Sequence, residues 1–171
     1  MSAAATELLR KLRGAGWTVK TKHGGALNLE PAVTTRYGAL PPGYVDFLAS
    51  YDLCASPGET AWFLSEADYN GTSGSAFTWN EYELQQLTAA EGDDRWIAEI
   101  RAFWDRHMPI MLSVKDCYTY LAIEIDTGGI VHGREPEYED VVTVAASFEA
   151  LAALDESVFG GRGTDVLARS F

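Results

Sequence analysis

The feature that most constrains the fold is a run of consecutive strand patterns in the second half of the chain, with helical patterns on both sides. Apolar residues alternate through 110–114, 118–125 is rich in β-branched and aromatic residues, and 129–134 continues after a short turn. A further strand pattern covers 141–145. Strands joined by short turns predict an antiparallel meander. Helices grouped before and after such a meander predict an α+β fold and not an alternating parallel sheet.

Helical spacing of apolar residues and capping residues predict the flanking helices. They are a helix over 6–13 capped by Thr6; a helix after Pro41-Pro42 with Tyr44, Phe47, Leu48 and Tyr51 on one face; a helix capped by Asn80, with Glu83 reaching back and Trp79 packed on Leu84; a helix beginning at Asp93-Asp94; and a helix capped by Ser147. Short strands are predicted at 17–22 and 60–64, and 70–76 is predicted to be an exposed loop. We therefore predict one α+β domain over 1–171, with an antiparallel sheet of about five to six strands flanked by N-terminal, central and C-terminal helices.

The chain is strongly acidic, with 25 acidic against 13 basic residues and a net charge of −12. Such a protein repels nucleic acid and anionic membrane surfaces, and it attracts a basic protein partner. No apolar run reaches the ~18 residues that a membrane span needs. The first residues lack the order of a secretory signal, and Cys54 and Cys117 are too few for a disulfide scaffold. The sequence predicts a cytoplasmic protein with reduced thiols, no nucleic-acid partner and no membrane partner.

Motifs for catalysis are sparse. His23, His107 and His132 are far apart, and no His or Cys pair has zinc-ligand spacing. His132 and Glu135 form a loose pair at a strand end, which is more typical of an exposed hairpin. Asp126-Thr127-Gly128 matches an aspartic-protease motif, but those enzymes need two aspartates that share a proton, and Asp followed by Gly is common between strands. We therefore expect no enzyme, no metal and no cofactor.

Acidic residues are concentrated in two segments of the chain. The first segment follows the helix that contains Tyr44, and the second is the loop after the third meander strand. The residues are Asp52, Glu59, Glu66 and Asp68 in the first segment, and Glu135, Glu137, Glu139 and Asp140 in the second. Charge patterning alone is more typical of solvated charged loops. We predict that these eight residues form the surface that binds a basic partner.

A series of short motifs follows a recognisable order along the chain. They are Leu40-Pro41-Pro42-Gly43-Tyr44 leading into Phe47-Leu48, then Trp62, Phe103-Trp104, Pro109-Ile110, the apolar strand 121–125, Gly129-Ile130-Val131, and Ala146-Ser147-Phe148 with Leu151. In this order the chain resembles the SUKH superfamily, the Smi/Knr-like proteins, over about residues 28–155, with the N-terminal helix extra or divergent. It departs from the family in two places. Residues 31–36 lack the usual acidic residues, and Tyr51-Asp52-Leu53 stands where Asn-Gly is common.

The resemblance implies an α+β domain with an antiparallel sheet flanked by helices, and a role in protein binding without catalysis. Bacterial SUKH proteins are chiefly immunity factors that bind toxins, many of them nucleases, and the yeast relatives regulate the cell wall through protein contacts. The expected function is therefore one-to-one binding and neutralisation of a cognate toxin. The alternative is a regulatory scaffold with an endogenous partner. A third class, an enzyme with a dispersed active site, would require a deep cleft with perturbed carboxylates.

Overall fold

The computed structural model describes residues 1–22, 26–162 and 166–171. Its strands are β1 (Thr18–Thr21), β2 (Tyr51–Ala55), β3 (Ala61–Phe63), β4 (His107–Ser113), β5 (Thr119–Glu124), β6 (Ile130–Arg134) and β7 (Val142–Ala145). Its helices are α1 (Ala3–Gly14), α2 (Pro31–Tyr37), α3 (Pro42–Leu48), α4 (Glu66–Tyr69), α5 (Glu81–Ala89), α6 (Asp94–Trp104), α7 (Phe148–Ala153), α8 (Glu156–Phe159) and α9 (Val166–Ser170).

The seven strands form one sheet in which spatial order equals chain order, and every neighbouring pair is antiparallel. The predicted α+β class and meander are confirmed, and the sheet has one to two strands more than expected. In the register, Ala61 pairs with Ser113, Ser113 with Thr119, and Thr119 with Arg134. These four residues therefore lie at one level across β3, β4, β5 and β6.

Helices cover both faces of the sheet, because both faces carry buried side chains. On one face, α5 and α6 place Tyr82 and Trp104 against the ring of Tyr120 on β5. On the other face, Phe47 of α3 packs against Phe63 of β3, with ring centroids 5.2 Å apart. Aromatic contacts of this kind bury large areas and fix geometry. The domain is thus a helix–sheet–helix sandwich.

The N-terminal and C-terminal segments join the same hydrophobic core. Leu8 and Leu12 of α1 are fully buried, and the Lys11 ammonium donates hydrogen bonds to the carbonyls of Ala152 and Leu154 at the C-terminal end of α7. Further along, the ring of Phe171 packs edge-on against Trp17 at 5.5 Å. Helix α1, which lies outside the region of SUKH-like motifs, is therefore part of the packed core.

Sequence analysis did not predict β2, α2 or the short helices α4, α8 and α9. Tyr51, placed on the helical face of Tyr44, instead begins β2, because α3 ends at Leu48. The spacing of Tyr51 from Tyr44 and Phe47 fits a helical period by coincidence, because Tyr51 is equally buried at the start of the strand. The Tyr51 hydroxyl donates a hydrogen bond to the Leu64 carbonyl at 2.8 Å. α2 begins at Pro31, and proline is favoured in the first turn of a helix.

Capping was predicted correctly at some helices and wrongly at others. Asp93 and Ser147 cap α6 and α7 as expected. The cap of α1 is Ser2 and not Thr6, because the helix begins one turn earlier. Asn80 makes no side-chain capping bond, and the expected packing of Trp79 on Leu84 is wrong, because Leu84 is 44% exposed and Trp79 packs on Tyr37 and Tyr69.

A closed ion network ties α2 to α5 and to the end of α6. The Arg36 guanidinium donates two hydrogen bonds to the Glu83 carboxylate, at 2.7 and 2.8 Å, and a third to Asp105 at 2.8 Å. Its carbon lies 5.4 Å from the Tyr37 ring centre. Glu83 is thus held by Arg36 and does not reach back to the helix start, since a buried carboxylate needs a charged partner.

Candidate functional site

Five of the eight predicted acidic residues lie along one edge of the sheet. The β2–β3, β4–β5 and β6–β7 connections all leave the sheet at this edge, since the strands alternate in direction. The backbone bonds from Val114 to Thr60 and from Glu135 to Tyr118 join the three connections there. We call this set the acidic edge: Glu59, Glu135, Glu137, Glu139 and Asp140. With strands about 4.8 Å apart, it spans about 15 Å from β3 to β6.

Two of the three remaining predicted acids, Asp52 and Asp68, line a groove that we call the Trp62 groove. This groove has a volume of about 620 Å³ and lies between β2, β3 and the loop of residues 72–75. Asp52, Glu59 and Asp68 line it together with Trp62. Residues 71–76 are exposed, as predicted. The structure therefore brings Asp52, Glu59 and Asp68 to one groove and the later acids to the neighbouring edge.

Three of the eight acids have internal partners. Glu66 forms an ion pair with Lys22, at 2.5 Å. Asp68 accepts hydrogen bonds from the backbone and hydroxyl of Ser65, which completes the capping box of α4. Glu135 accepts a bond from the Tyr118 amide at 3.1 Å. These contacts give the three residues a role within the fold.

The other five acids have no such partner. Among the described residues, no ion pair and no side-chain hydrogen bond is formed by Asp52, Glu59, Glu137, Glu139 or Asp140. Their carboxylates are directed to solvent, with Glu139 partly covered. They are the members of the predicted set whose charge is available to a partner.

A third feature, which sequence analysis did not predict, is a cleft on the sheet face beneath α9. We call it the sheet-face cleft; its volume is about 500 Å³. It is bounded by the sheet, the β4–β5 loop, the acidic edge and α9. Its lining residues are Ser113, Asp116, Cys117, Thr119, His132, Arg134, Asp140, Val142, Val166, Arg169 and Ser170.

His132 lies at the floor of the sheet-face cleft. The expectation of an exposed hairpin histidine is wrong, because the side chain of His132 turns to the covered face and the residue is 4% exposed. Its Nε2 is hydrogen-bonded to the Ser170 hydroxyl at 2.9 Å, and that hydroxyl also contacts the Val166 carbonyl. Burial, reinforced by the positive charge of Arg134, lowers the pKa of His132 to about 4.

The His132–Ser170 contact has the form of a base and a nucleophile, but its properties favour a structural contact. A general base works best with a pKa near the working pH, and the low pKa of His132 makes it a weak base. No side chain in the described part of the chain hydrogen-bonds to its other ring nitrogen, so the orienting third group of a catalytic triad is missing there. The pair instead holds α9 against the sheet.

Two further polar groups of the cleft are notable. Thr119, on β5, is 7% exposed, and its hydroxyl has no hydrogen-bond partner among the described residues. Cys117 is a free thiol that lies partly exposed in the wall, whereas Cys54 is free and buried, and burial raises the pKa of the Cys54 thiol. Buried hydroxyls without a partner are uncommon in folded proteins.

The remaining sequence motifs carry no site chemistry in the described residues. Asp126-Thr127-Gly128 is the turn between β5 and β6; Thr127 donates to Glu124, and Gly128 has a φ of 74°, which favours glycine. His107 stacks on Phe103, and burial lowers its pKa. His23 lies outside the described residues. Over residues 1–22, 26–162 and 166–171, no three His, Cys, Asp or Glu side chains are grouped as metal ligands would be.

No helix in the described ranges is both long and apolar enough to cross a membrane. Comparisons with protein-family models, with curated proteins and with solved structures found no match to this chain.

Proposed function

We propose that this protein is a cytoplasmic immunity factor that binds a cognate bacterial toxin one-to-one and blocks it without catalysis. The observation that carries the proposal is the acidic edge, where Glu59, Glu137, Glu139 and Asp140 have no side-chain partner among the described residues, on a protein of net charge −12. A basic toxin surface, such as the phosphate-binding groove of a nuclease, is complementary to such an edge. Electrostatic attraction then speeds association, and the rigid sheet presents the charges in a fixed row.

The SUKH-like motifs fall on structural elements in a way that supports this proposal. Leu40 to Gly43 leads into α3, Trp62 is on β3, Phe103-Trp104 closes α6, and Ser147-Phe148 opens α7. Gly43, Phe103, Trp104 and Phe148 are buried, and Leu40, Trp62 and Ser147 are half-buried. In this way the motifs contribute to the frame that exposes the three connections of the acidic edge. In this proposal the motifs maintain the fold, while the edge selects the partner.

The test is co-expression with the toxin encoded beside this protein. The wild-type chain should restore growth, and the triple variant Glu59→Lys, Glu137→Lys, Asp140→Lys should lose protection. The matched control is Glu30→Lys, Glu91→Lys, Asp126→Lys, which reverses three exposed acids away from the edge and changes net charge equally. The control should protect as the wild type does.

Two outcomes would contradict the proposal. One is unchanged killing with wild-type protein and toxin both soluble. The other is equal loss of protection by the two triple variants, which would assign the effect to net charge and not to the edge. A stable complex with an endogenous protein in place of the toxin would favour the regulatory scaffold.

A further inference from the structure

The sheet-face cleft differs from the acidic edge in charge, because two arginines line it. We propose that this cleft is a binding site for a small organic anion, whose phosphate or carboxylate group is held by Arg134 and Arg169. This site lies beyond the toxin-binding role and does not depend on it. It extends from the sheet face to α9 and has a volume of about 500 Å³, in the range of small-molecule sites.

The first argument is the state of the two guanidinium groups. Acidic residues outnumber basic residues in this protein by 25 to 13. Nevertheless, neither Arg134 nor Arg169 forms an ion pair with any acid in the described ranges. Arg10, Arg36 and Arg95 are paired with carboxylates, and Arg13, Arg101 and Arg106, which also form no ion pair with a described acid, do not line the cleft. A guanidinium presents a planar fork of donors that matches carboxylate and phosphate oxygens. Two such groups at one cleft are suited to one anionic ligand.

The second argument is independent of charge and comes from Thr119. Its hydroxyl lines the cleft, is buried, and lacks a partner among the described residues. Thr119 pairs directly with Arg134 across β5 and β6, so the two side chains leave the same face with Cβ atoms about 5 Å apart. A ligand oxygen between them would accept from both and would satisfy the hydroxyl.

The remaining walls indicate an organic ligand larger than an inorganic ion. Val142 and Val166 supply apolar surface, and Asp116 and Asp140 place carboxylates at the opening. Carboxylates accept hydrogen bonds from hydroxyl or amine groups. The expected ligand therefore has an anionic group for the arginines and hydrogen-bond donors for the aspartates, as in a sugar phosphate or a hydroxylated carboxylic acid.

The test is a titration of the purified full chain, followed by NMR chemical shifts at constant ionic strength. Ribose 5-phosphate represents the phosphate class, citrate the carboxylate class, and ribose serves as the uncharged control. We expect at least one of the two anions to bind saturably at one site, at least tenfold more tightly than ribose. Binding by only one anion would assign the ligand class.

Variants locate the site. Arg134→Gln and Arg169→Gln should each weaken the bound anion about tenfold or more. Arg101→Gln is the matched control, because Arg101 is exposed on α6 and outside the cleft, and it should change affinity less than twofold. Circular dichroism of each variant confirms that it is folded before titration.

Thr119→Val separates ligand binding from a merely structural role. It removes the unpartnered hydroxyl while keeping the shape of the side chain, so the free protein should melt at the same temperature or higher. Binding of the anion should nevertheless weaken. Thr143→Val, at an exposed position on β7 outside the cleft, is the control and should leave the affinity unchanged.

The inference is overturned if neither anion binds saturably to the wild-type chain. It is also overturned if Arg101→Gln weakens binding as much as Arg134→Gln, because the effect would then be one of bulk charge. Asp140 belongs to both surfaces, so the double variant Glu59→Lys, Glu137→Lys, which changes no residue of the cleft lining, tests the acidic edge alone. The two proposals can therefore fail separately.

Discussion

Arginine occupies two contrasting environments in this protein. Arg36 lies in a closed network, its side chain 19% exposed, and each of its three guanidinium nitrogens donates to Glu83 or Asp105. Arg134 and Arg169 line an open cleft and pair with no acid in the described residues. Arg36 thus joins three helices, whereas the guanidinium groups of Arg134 and Arg169 have no acidic partner among the described residues.

The contrast separates charges that stabilise the fold from charges that have no partner among the described residues. The acids divide in the same way, since Glu83 is buried beside Arg36, whereas Glu137 is exposed and unpartnered among the described residues. A buried charge that loses its partner is costly, whereas an exposed charge costs little to remove. Substitutions should therefore separate the two groups by their effect on folding.

The largest effect is expected at the closed network. Arg36→Leu leaves the Glu83 carboxylate buried without its partner, and the free energy of unfolding should fall by about 3–5 kcal/mol. Arg134→Leu should change it by less than about 0.5 kcal/mol, because Arg134 is exposed and forms no ion pair with a described acid. Urea denaturation followed by tryptophan fluorescence measures both values.

A double variant distinguishes charge burial from lost packing in this first prediction. Arg36→Leu with Glu83→Leu removes both buried charges, so stability should recover markedly relative to Arg36→Leu alone. Arg95→Leu, which breaks an exposed pair with Glu99, should cost about 0.5 kcal/mol or less. No recovery in the double variant would show that packing and not charge governs the site.

Sequence predicted the fold better than the sites, and the reason is the range of the information involved. The meander over 110–134 was found because alternation and turn residues act locally. β2 and α2 were missed because each is short, and because Tyr51 satisfied a helical period while its burial comes from tertiary contacts. Local patterns define elements, and distant contacts decide where they end.

The acidic edge and the sheet-face cleft show the same limit. The acids could be named because they are grouped in sequence, but their alignment follows from the order of strands in the sheet. The cleft combines Thr119, Arg134 and Ser170 from separate segments. Only register and the position of α9 bring them together, and no spacing in the sequence contained that signal.

The second prediction compares the two faces of strand β6. On β6, His132 and Arg134 face the cleft, whereas Gly133 faces the aromatic layer, where an added Cβ would meet the Tyr120 ring at 2.5 Å. Tyr120 is fully buried and its hydroxyl donates to the Tyr138 carbonyl, so the ring cannot move freely. Gly133→Ala should therefore lower the free energy of unfolding by about 1–3 kcal/mol.

Gly58→Ala is the control for this substitution. Gly58 lies in the exposed β2–β3 turn, and an added Cβ has no neighbour closer than 3.7 Å, so the variant should be unchanged or slightly more stable. Equal urea midpoints for Gly133→Ala and Gly58→Ala would contradict the close packing of Gly133 against the Tyr120 ring.

The third prediction concerns the pH dependence of stability that His132 contributes. In the unfolded chain the His132 pKa is about 6.5, whereas burial and Arg134 lower it to about 4 in the folded protein. Between these values the unfolded chain binds a proton that the folded chain does not, so stability is full above pH 6.5 and is lost as the pH falls toward 4. By pH 5 the loss due to His132 should be about 2 kcal/mol. His132→Gln lacks this term, whereas His107 and the carboxylates titrate in both proteins and cancel in the difference. Between pH 7.5 and pH 5, the free energy of unfolding should therefore fall by about 2 kcal/mol more for the wild type than for His132→Gln. An equal fall in the two proteins would mean that His132 is not buried in its uncharged form at the floor of the cleft.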